Sequence, residues 1–327
     1  MVRALKYYAF WGLPGAGILA LALAPLVADP YLLHILILIL MSATMALSWD
    51  LLIRTGQLSL AHAGFFGLGA YAAALTYSQL GFSWWLSFLA AVLAGGLAAL
   101  GLGVITLRLH GMYFAIGTLA FAEVLRTVAL QVNFTGGAVG VTLPAIFGGD
   151  RVAAYFLVVT IFLICILASV LLQRSKWGLA FQAIRARQAV AEVLGVNTIK
   201  AKLAAFVISS IFPSLVGAFY IHYVTYIIPY EAFSLNTSVT ALVMAVFGGI
   251  YSTAGPVIGA VVLKILEEYL KSVIVYGYTV IYGLILALVI LFMPNGLLGV
   301  MRRAAGGGRA QQIFRWAGGR KRAETPD

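Results

Sequence analysis

Charge is what this chain has least of. Only 9% of its 327 residues are Asp, Glu, Lys or Arg, against about 25% in a soluble domain, which excludes an ordinary water-facing globule. Acids are the scarcer sign, ten against 21 Lys and Arg. The one cysteine, Cys165, excludes an intrachain disulfide, and its apolar surroundings suit a small buried side chain. Alternating strands of about ten residues, which a membrane β-barrel needs, are missing. So is the Gly-x-x-x-x-Gly-Lys-Ser/Thr run of a phosphate-binding loop. His34, His62, His110 and His222 are scattered without metal-ligand spacing. No catalytic or metal site is therefore expected.

What remains is hydrophobic, 63% of the chain. Its apolar runs recur at lengths that cross a hydrocarbon core of about 30 Å. The fold class expected is an all-α polytopic membrane protein of about 8–10 transmembrane or re-entrant helices in two related halves. Apolar segments fall near 12–28, 31–53, 58–80, 83–107, 111–131 and 151–173, then near 201–228, 233–250, 253–271 and 273–293. The organisation is a first half 1–173, a polar loop 174–202, a second half 203–301 and a basic, Gly-rich, disordered tail 302–327. An even number of segments on each side of the loop puts both termini and the loop on one face. All three are basic, so the positive-inside rule makes that face cytoplasmic. The net charge of +11 follows from these clusters and calls for no nucleic acid. Arg3 and Lys6 before Trp11–Val27 read as a retained first helix rather than a cleaved signal.

Several segments are poor spanning helices. Residues 55–70 hold Gln57, Ser59, His62, Gly64, Gly67 and Gly69, and residues 247–260 hold Gly248, Gly249, Ser252, Gly255, Pro256 and Gly259. Non-helical backbone at membrane depth must be buried in protein or line a cavity. Matched Gly- or Pro-interrupted segments in two halves mark a translocation path, so these twelve residues are read as path-lining or broken-helix positions. Close helix packing through small residues is the competing reading. Thr135, Gly136, Gly137 and Gly140 begin a loop, external by the same segment count, whose glycines favour a shaped turn. Glu123 and Arg126, three apart, are expected to pair on one helix face. Asp50 with Arg54 is expected to pair at an interface, and Lys264, Glu267 and Glu268 to lie near one.

The polar loop reads as one amphipathic helix from Trp177 to Leu194. Leu179, Ala183, Ala186, Val190, Val193 and Leu194 fall on one side, and Phe181, Arg185, Gln188 and Glu192 on the other, with Gly195 and Asn197 as a stop. Such a helix fits a membrane surface and fits a groove on a soluble partner equally well.

The run Trp177-Gly-Leu-Ala-Phe-Gln-Ala-Ile-Arg185, with Ala191-Glu-Val-Leu-Gly-Val-Asn197 and Lys202–Ser209, resembles the signature loop of ABC importer permeases. It is most similar to the branched-chain amino acid permease family, on its M-type (LivM-like) side. Residues 56–71, Thr135–Gly140, Gly248-Gly249 with Gly255–Ala260, and Phe292–Leu297 resemble further motifs of that family, so the likeness runs from about residue 30 to 303. The resemblance implies an ABC importer permease fold and transport of branched-chain or other hydrophobic amino acids. It also implies a second homologous permease, two cytoplasmic ABC ATPases that hold the ATP and Mg, and an extracytoplasmic substrate-binding protein. This chain would carry no cofactor and would sit in a bacterial-type cytoplasmic (inner) membrane. Trp177, Gly178, Phe181, Arg185, Gln188, Glu192 and Gly195 would form the ATPase-coupling loop, with Arg185, Gln188 and Glu192 as the docking face. Departures stand at Ala61, Ala186, Gln188, Pro213 and Ile250–Ser252. An amide or urea permease of the same family is the nearest alternative. An ion-gradient-driven transporter is the alternative of another class, with Glu123 its candidate acid.

Overall fold

The computed structural model describes residues 21–25, 28–109, 111–274, 277–292 and 296–299. The N-terminal basic residues, most of segment 12–28, His110, residues 293–295 and the basic tail lie outside the described residues. Helices dominate because apolar side chains cover every face of the segments and backbone groups in lipid must be satisfied within each segment. Among the described residues, the helical residues 21–25 and then five helices precede the polar loop: α1 (Pro30–Ile53), α2 (His62–Ser78), α3 (Trp84–Thr106), α4 (Met112–Gln131) and α5 (Arg151–Arg174). The loop folds as α6 (Lys176–Ala186) and α7 (Gln188–Val193). Five more follow: α8 (Thr198–Val224), α9 (Pro229–Ala232), α10 (Leu235–Gly248), α11 (Ala254–Val273) and α12 (Tyr278–Phe292). By length and composition, six stretches among the described residues are apolar enough to cross a membrane: α1, α3, α4, α5, α8, and α9 with α10 together. α11 is long enough, but Lys264, Glu267, Glu268 and Lys271 interrupt its apolar surface.

α1 and α8 form the centre of the bundle, and α3, α4 and α5 are the less buried outer helices. α8 runs unbroken through Pro213 and packs on α2 almost backbone to backbone. A methyl at Gly69 would collide with the Ser214 backbone, and one at Gly217 with the Phe66 carbonyl. Ser214 sits in that contact and donates to both Ser210 O and Phe65 O, at 3.0 and 3.1 Å. Side-chain hydroxyls of this kind tie membrane helices together where water is absent.

At the end of the bundle away from the polar loop, β1 (Val141–Thr142) pairs antiparallel with β2 (Tyr226–Ile227). This two-residue ladder joins the long connection after α4 to the end of α8. Thr135 Oγ1 donates to Ala129 O at 2.7 Å, and Gly136, Gly137 and Gly140 all take positive φ, so the shaped turn is present. Gly140 is required there, because any side chain would strike the Ile227 carbonyl.

Candidate functional site

The polar loop does not form one helix. Ser175 caps α6 by accepting from Trp177 N at 3.2 Å, and Arg187 breaks the run in extended backbone (φ −165°, ψ 107°). α7 then turns back, Gly195 takes φ +84°, and Asn197 Oδ1 caps α8 by accepting from Lys200 N at 3.0 Å. Ser175 and Asn197 each satisfy a first-turn amide of α6 and α8, whereas α7, opening after Arg187, has no side-chain cap.

The break changes which side faces the protein. Phe181, Ile184 and Ala191 are buried against Leu52, Phe65 and Phe206, and Gly178 packs on the Leu172 and Gln173 carbonyls. Leu179, Val193 and Leu194, placed by helical spacing on the apolar side, are 69%, 88% and 73% exposed. The polar residues are engaged within the chain instead. Lys202 Nζ donates to Gln188 Oε1 at 2.7 Å, and Gln188 Nε2 donates to Glu192 Oε1 at 2.9 Å. Thr198 Oγ1 donates to that same carboxylate oxygen at 2.8 Å, so the network pins α7 to the first turns of α8. Phe181, placed by helical spacing on the polar side, is instead core; Arg185 and Glu192 stay exposed, with the Gln188 amide and the Glu192 carboxylate held in this network. Trp177, partly exposed, packs near Phe181 with ring centroids 6.5 Å apart.

Arg185 is the junction. Its guanidinium lies 3.8 Å over the Tyr251 ring, a stacked cation–π contact. Its backbone borders Gly56, where an added Cβ would sit 3.5 Å from Arg185 Cα. Gly56 and Tyr251 belong to the two stretches that leave helical geometry, 54–61 before α2 and 249–253 between α10 and α11. One residue of α6 therefore touches both interruptions.

Behind Tyr251 lies an ion pair that the sequence reading put at an interface. Asp50 and Arg54 are instead buried, with Arg54 Nη2 and Nε 2.6 and 2.8 Å from Asp50 Oδ2. Arg54 also donates to Ser169 Oγ and O at 2.8 and 3.2 Å, and the amide of Gln173, turned oxygen inward, accepts from it at 3.2 Å. Asp50 Oδ1 accepts from the backbone N–H of Tyr251 at 2.6 Å. Tyr251 holds φ +67°, which is costly for a side chain of its size. A cavity of about 390 Å3 opens beside these groups, lined by Arg54, Arg174, Arg185, Gln173, Gln182 and Tyr251.

The glycine-rich stretches divide into interruption and packing. Gln57 and Ser59 lie in the buried non-helical part, and Gln57 lines a small cavity of about 130 Å3 with Gln188 and Lys202. Neither atom of its amide has a partner among the described residues, and the same holds for both ring nitrogens of the buried His62. Gly64, Gly67 and Gly69 lie inside the continuous helix α2, so the broken-helix reading is corrected for them. They admit Ala122, Phe233 and the Ser214 backbone, respectively, to close contact. In the second stretch, Gly249 (φ +116°) and Ser252 belong to the break. Gly248, Gly255 and Gly259 let α10 and α11 meet backbone to backbone, with Pro256 buried in the first turn of α11. Ser169 escaped the sequence reading, and so did the Tyr251 amide as a partner of Asp50, because both lie far along the chain from the Asp50–Arg54 pair.

A bundle of apolar helices with a basic, structured loop against two helix interruptions has the form of a membrane transport subunit. Residues 31–293 match the family described as branched-chain amino acid transport system / permease component, and the chain belongs to that family. Relatives include the high-affinity branched-chain amino acid transport system permease protein LivM of Salmonella typhimurium (strain LT2) and of Escherichia coli (strain K12). They are 30% and 29% identical over 278 residues, 76% of this chain and 65% of theirs. The chain thus spans slightly less than two thirds of their length. LivH of Escherichia coli (strain K12) is 28% identical over 206 residues, 59% of this chain and 64% of that protein. No solved structure matches.

Proposed function

We propose that this chain is a transmembrane permease subunit of an ATP-driven importer for branched-chain or other hydrophobic amino acids. It works beside a second homologous permease, two cytoplasmic ABC ATPases that bind ATP and Mg, and an extracytoplasmic binding protein. The loop 174–202 and both termini lie on the cytoplasmic face of a bacterial inner membrane. Family membership and the branched-chain amino acid transport of the LivM and LivH relatives support the substrate class.

The observation that carries the mechanism is the double contact of Arg185. Closure of the ATPases would push on the outward apolar edge of the loop, Leu179, Val190, Val193 and Leu194. Because Phe181 and Ile184 root α6 in the core and the Gln188–Glu192–Lys202 network holds α7 to α8, the loop moves as a body rather than bending. Arg185 then bears on 54–61 at Gly56 and passes the displacement to 249–253 through Tyr251. Non-helical segments flanked by helices are where such hinge motion is absorbed. Ion-gradient coupling is the weaker reading, since Glu123, its candidate acid, is paired with Arg126 at 2.7 Å.

The test is uptake into proteoliposomes holding the complete importer. Leucine uptake is expected only with both ATPases and ATP inside the functional complex. Uptake driven by a proton or sodium gradient without the ATPases would overturn the proposal.

A further inference from the structure

Midway along α11, Lys264 and Glu267, two of the charges that interrupt its apolar surface, face a cavity of about 260 Å3 between α1, α8, α10 and α11. That volume is below the usual range of about 300–1,000 Å3 for ligand pockets, and so suits a small solute. Its walls have two characters. Met41, Met45, Phe66 and Met244 make an apolar side; methionines adapt to branched shapes. Asn236, Thr237 and Thr240 bring an amide and two hydroxyls from the first turns of α10. Lys264 supplies a cation, and Glu231 and Glu267 supply anions. Ionisable groups at this depth are costly and characteristically line a substrate route.

From this juxtaposition we infer that the cavity is a substrate site for a zwitterionic amino acid with an apolar side chain, in which Lys264 receives the α-carboxylate and Glu231 the α-ammonium. The inference rests on the importer reading above and gives that reading a place and a set of recognising atoms. The ion pairs of α11 make the exchange feasible. Lys264 Nζ lies 2.9 Å from Glu267 and 3.7 Å from Glu268, while Lys271 Nζ lies 2.7 and 3.0 Å from the same two carboxylates. When Lys264 turns to a carboxylate in the cavity, Lys271 still contacts both glutamates, and a zwitterionic substrate leaves the total charge unchanged. Removing one cation from the network therefore leaves no glutamate unpaired, the condition under which a buried charge rearrangement is tolerable. Glu231, at the cavity's edge, has no ion-pair partner among the described residues, and so it is open to an ammonium group. The methionines and Phe66 exclude water from the side chain and leave only its two charged groups to be read electrostatically.

The experiment measures binding of labelled leucine to the purified permease pair, with competition by 4-methylpentanoate, which lacks the ammonium, and 3-methylbutylamine, which lacks the carboxylate. Wild type should prefer leucine over both. Lys264→Gln should weaken leucine by at least ~10-fold and abolish its advantage over the amine; Glu231→Gln should do the same for its advantage over the carboxylate. Met244→Ala keeps every charge and should shift preference toward phenylalanine, which serves if a charge variant does not fold. Unchanged leucine affinity and unchanged analogue ranking in folded variants would overturn the site. If the wild-type importer moves leucine with ATP while those variants bind normally, the site alone is wrong. If it moves none, the importer reading itself fails.

Discussion

Residues 54–61 and 249–253 both leave the helix beside the last turns of α1, yet different chemistry holds them. Past Arg54, the first is met by neutral groups. Trp49 Nε1 donates to Ser59 O at 2.9 Å, and the Thr118 hydroxyl accepts from Leu60 N at 3.0 Å. The Ser238 hydroxyl donates to Leu60 O and accepts from Ala63 N, at 2.8 and 2.7 Å. The second is met by a charge: Asp50 accepts from Tyr251 N, and its partner Arg54 reaches across to α5. Neighbouring residues of α1, Trp49 and Asp50, thus serve opposite interruptions. Neutral bonds from three helices make 54–61 a fixed anchor. A buried ion pair coupled to a strained tyrosine, itself stacked on the loop arginine, makes 249–253 the segment that responds to the loop.

Breaking the charged side of this comparison should have the largest effect. Asp50→Ala strands Arg54 in the bundle and frees the Tyr251 amide, a loss on the order of 3–5 kcal/mol. Thermal unfolding of the detergent-purified protein, or its yield in membranes, should fall accordingly; a variant as stable as wild type would show the pair to be dispensable. On the neutral side, Ser238→Ala removes one hydroxyl but leaves a buried carbonyl and a buried amide without it. The expected cost is about 1–3 kcal/mol by the same unfolding measurement, with little change in the ATP hydrolysed per leucine carried.

The smallest stability change separates anchor from responder most sharply. Tyr251→Gly relieves a positive φ worth roughly 1–2 kcal/mol and loses a cation–π contact of about 0.5–2 kcal/mol, so unfolding should scarcely move. Coupling should nonetheless suffer, with ATPase activity retained and leucine uptake per ATP reduced, because Arg185 no longer grips the segment. An unchanged uptake-to-ATP ratio would remove Tyr251 from the transmission route.

Much of this was legible in the residues themselves. Segments 31–53, 83–107, 111–131 and 151–173 match α1, α3, α4 and α5 within a few positions, because long apolar runs in lipid have no alternative to helix. The glycine-rich stretches were found, but composition could not separate a break from a close contact: Gly249 bends the chain, whereas Gly69 only makes room for Ser214. The pair Glu123–Arg126 followed from spacing alone. Asp50–Arg54 followed too, but its burial did not, since Ser169 and Tyr251 lie far along the chain from both.

What the sequence determined by itself is therefore local: which runs are helices, where the polar loop falls, and which charges pair three or four apart. Tertiary structure decided which face of α6 looks inward: Phe181, on the side read as polar, is core, while Leu179 is open. Hydropathy separates apolar from polar sides, but it does not say whether an apolar side meets the chain's own core or is left open. Only packing brought Gly56, Arg185, Tyr251 and Asp50 into one line, because contacts between residues so far apart in sequence depend on how whole helices stack, and no periodicity within a segment encodes that.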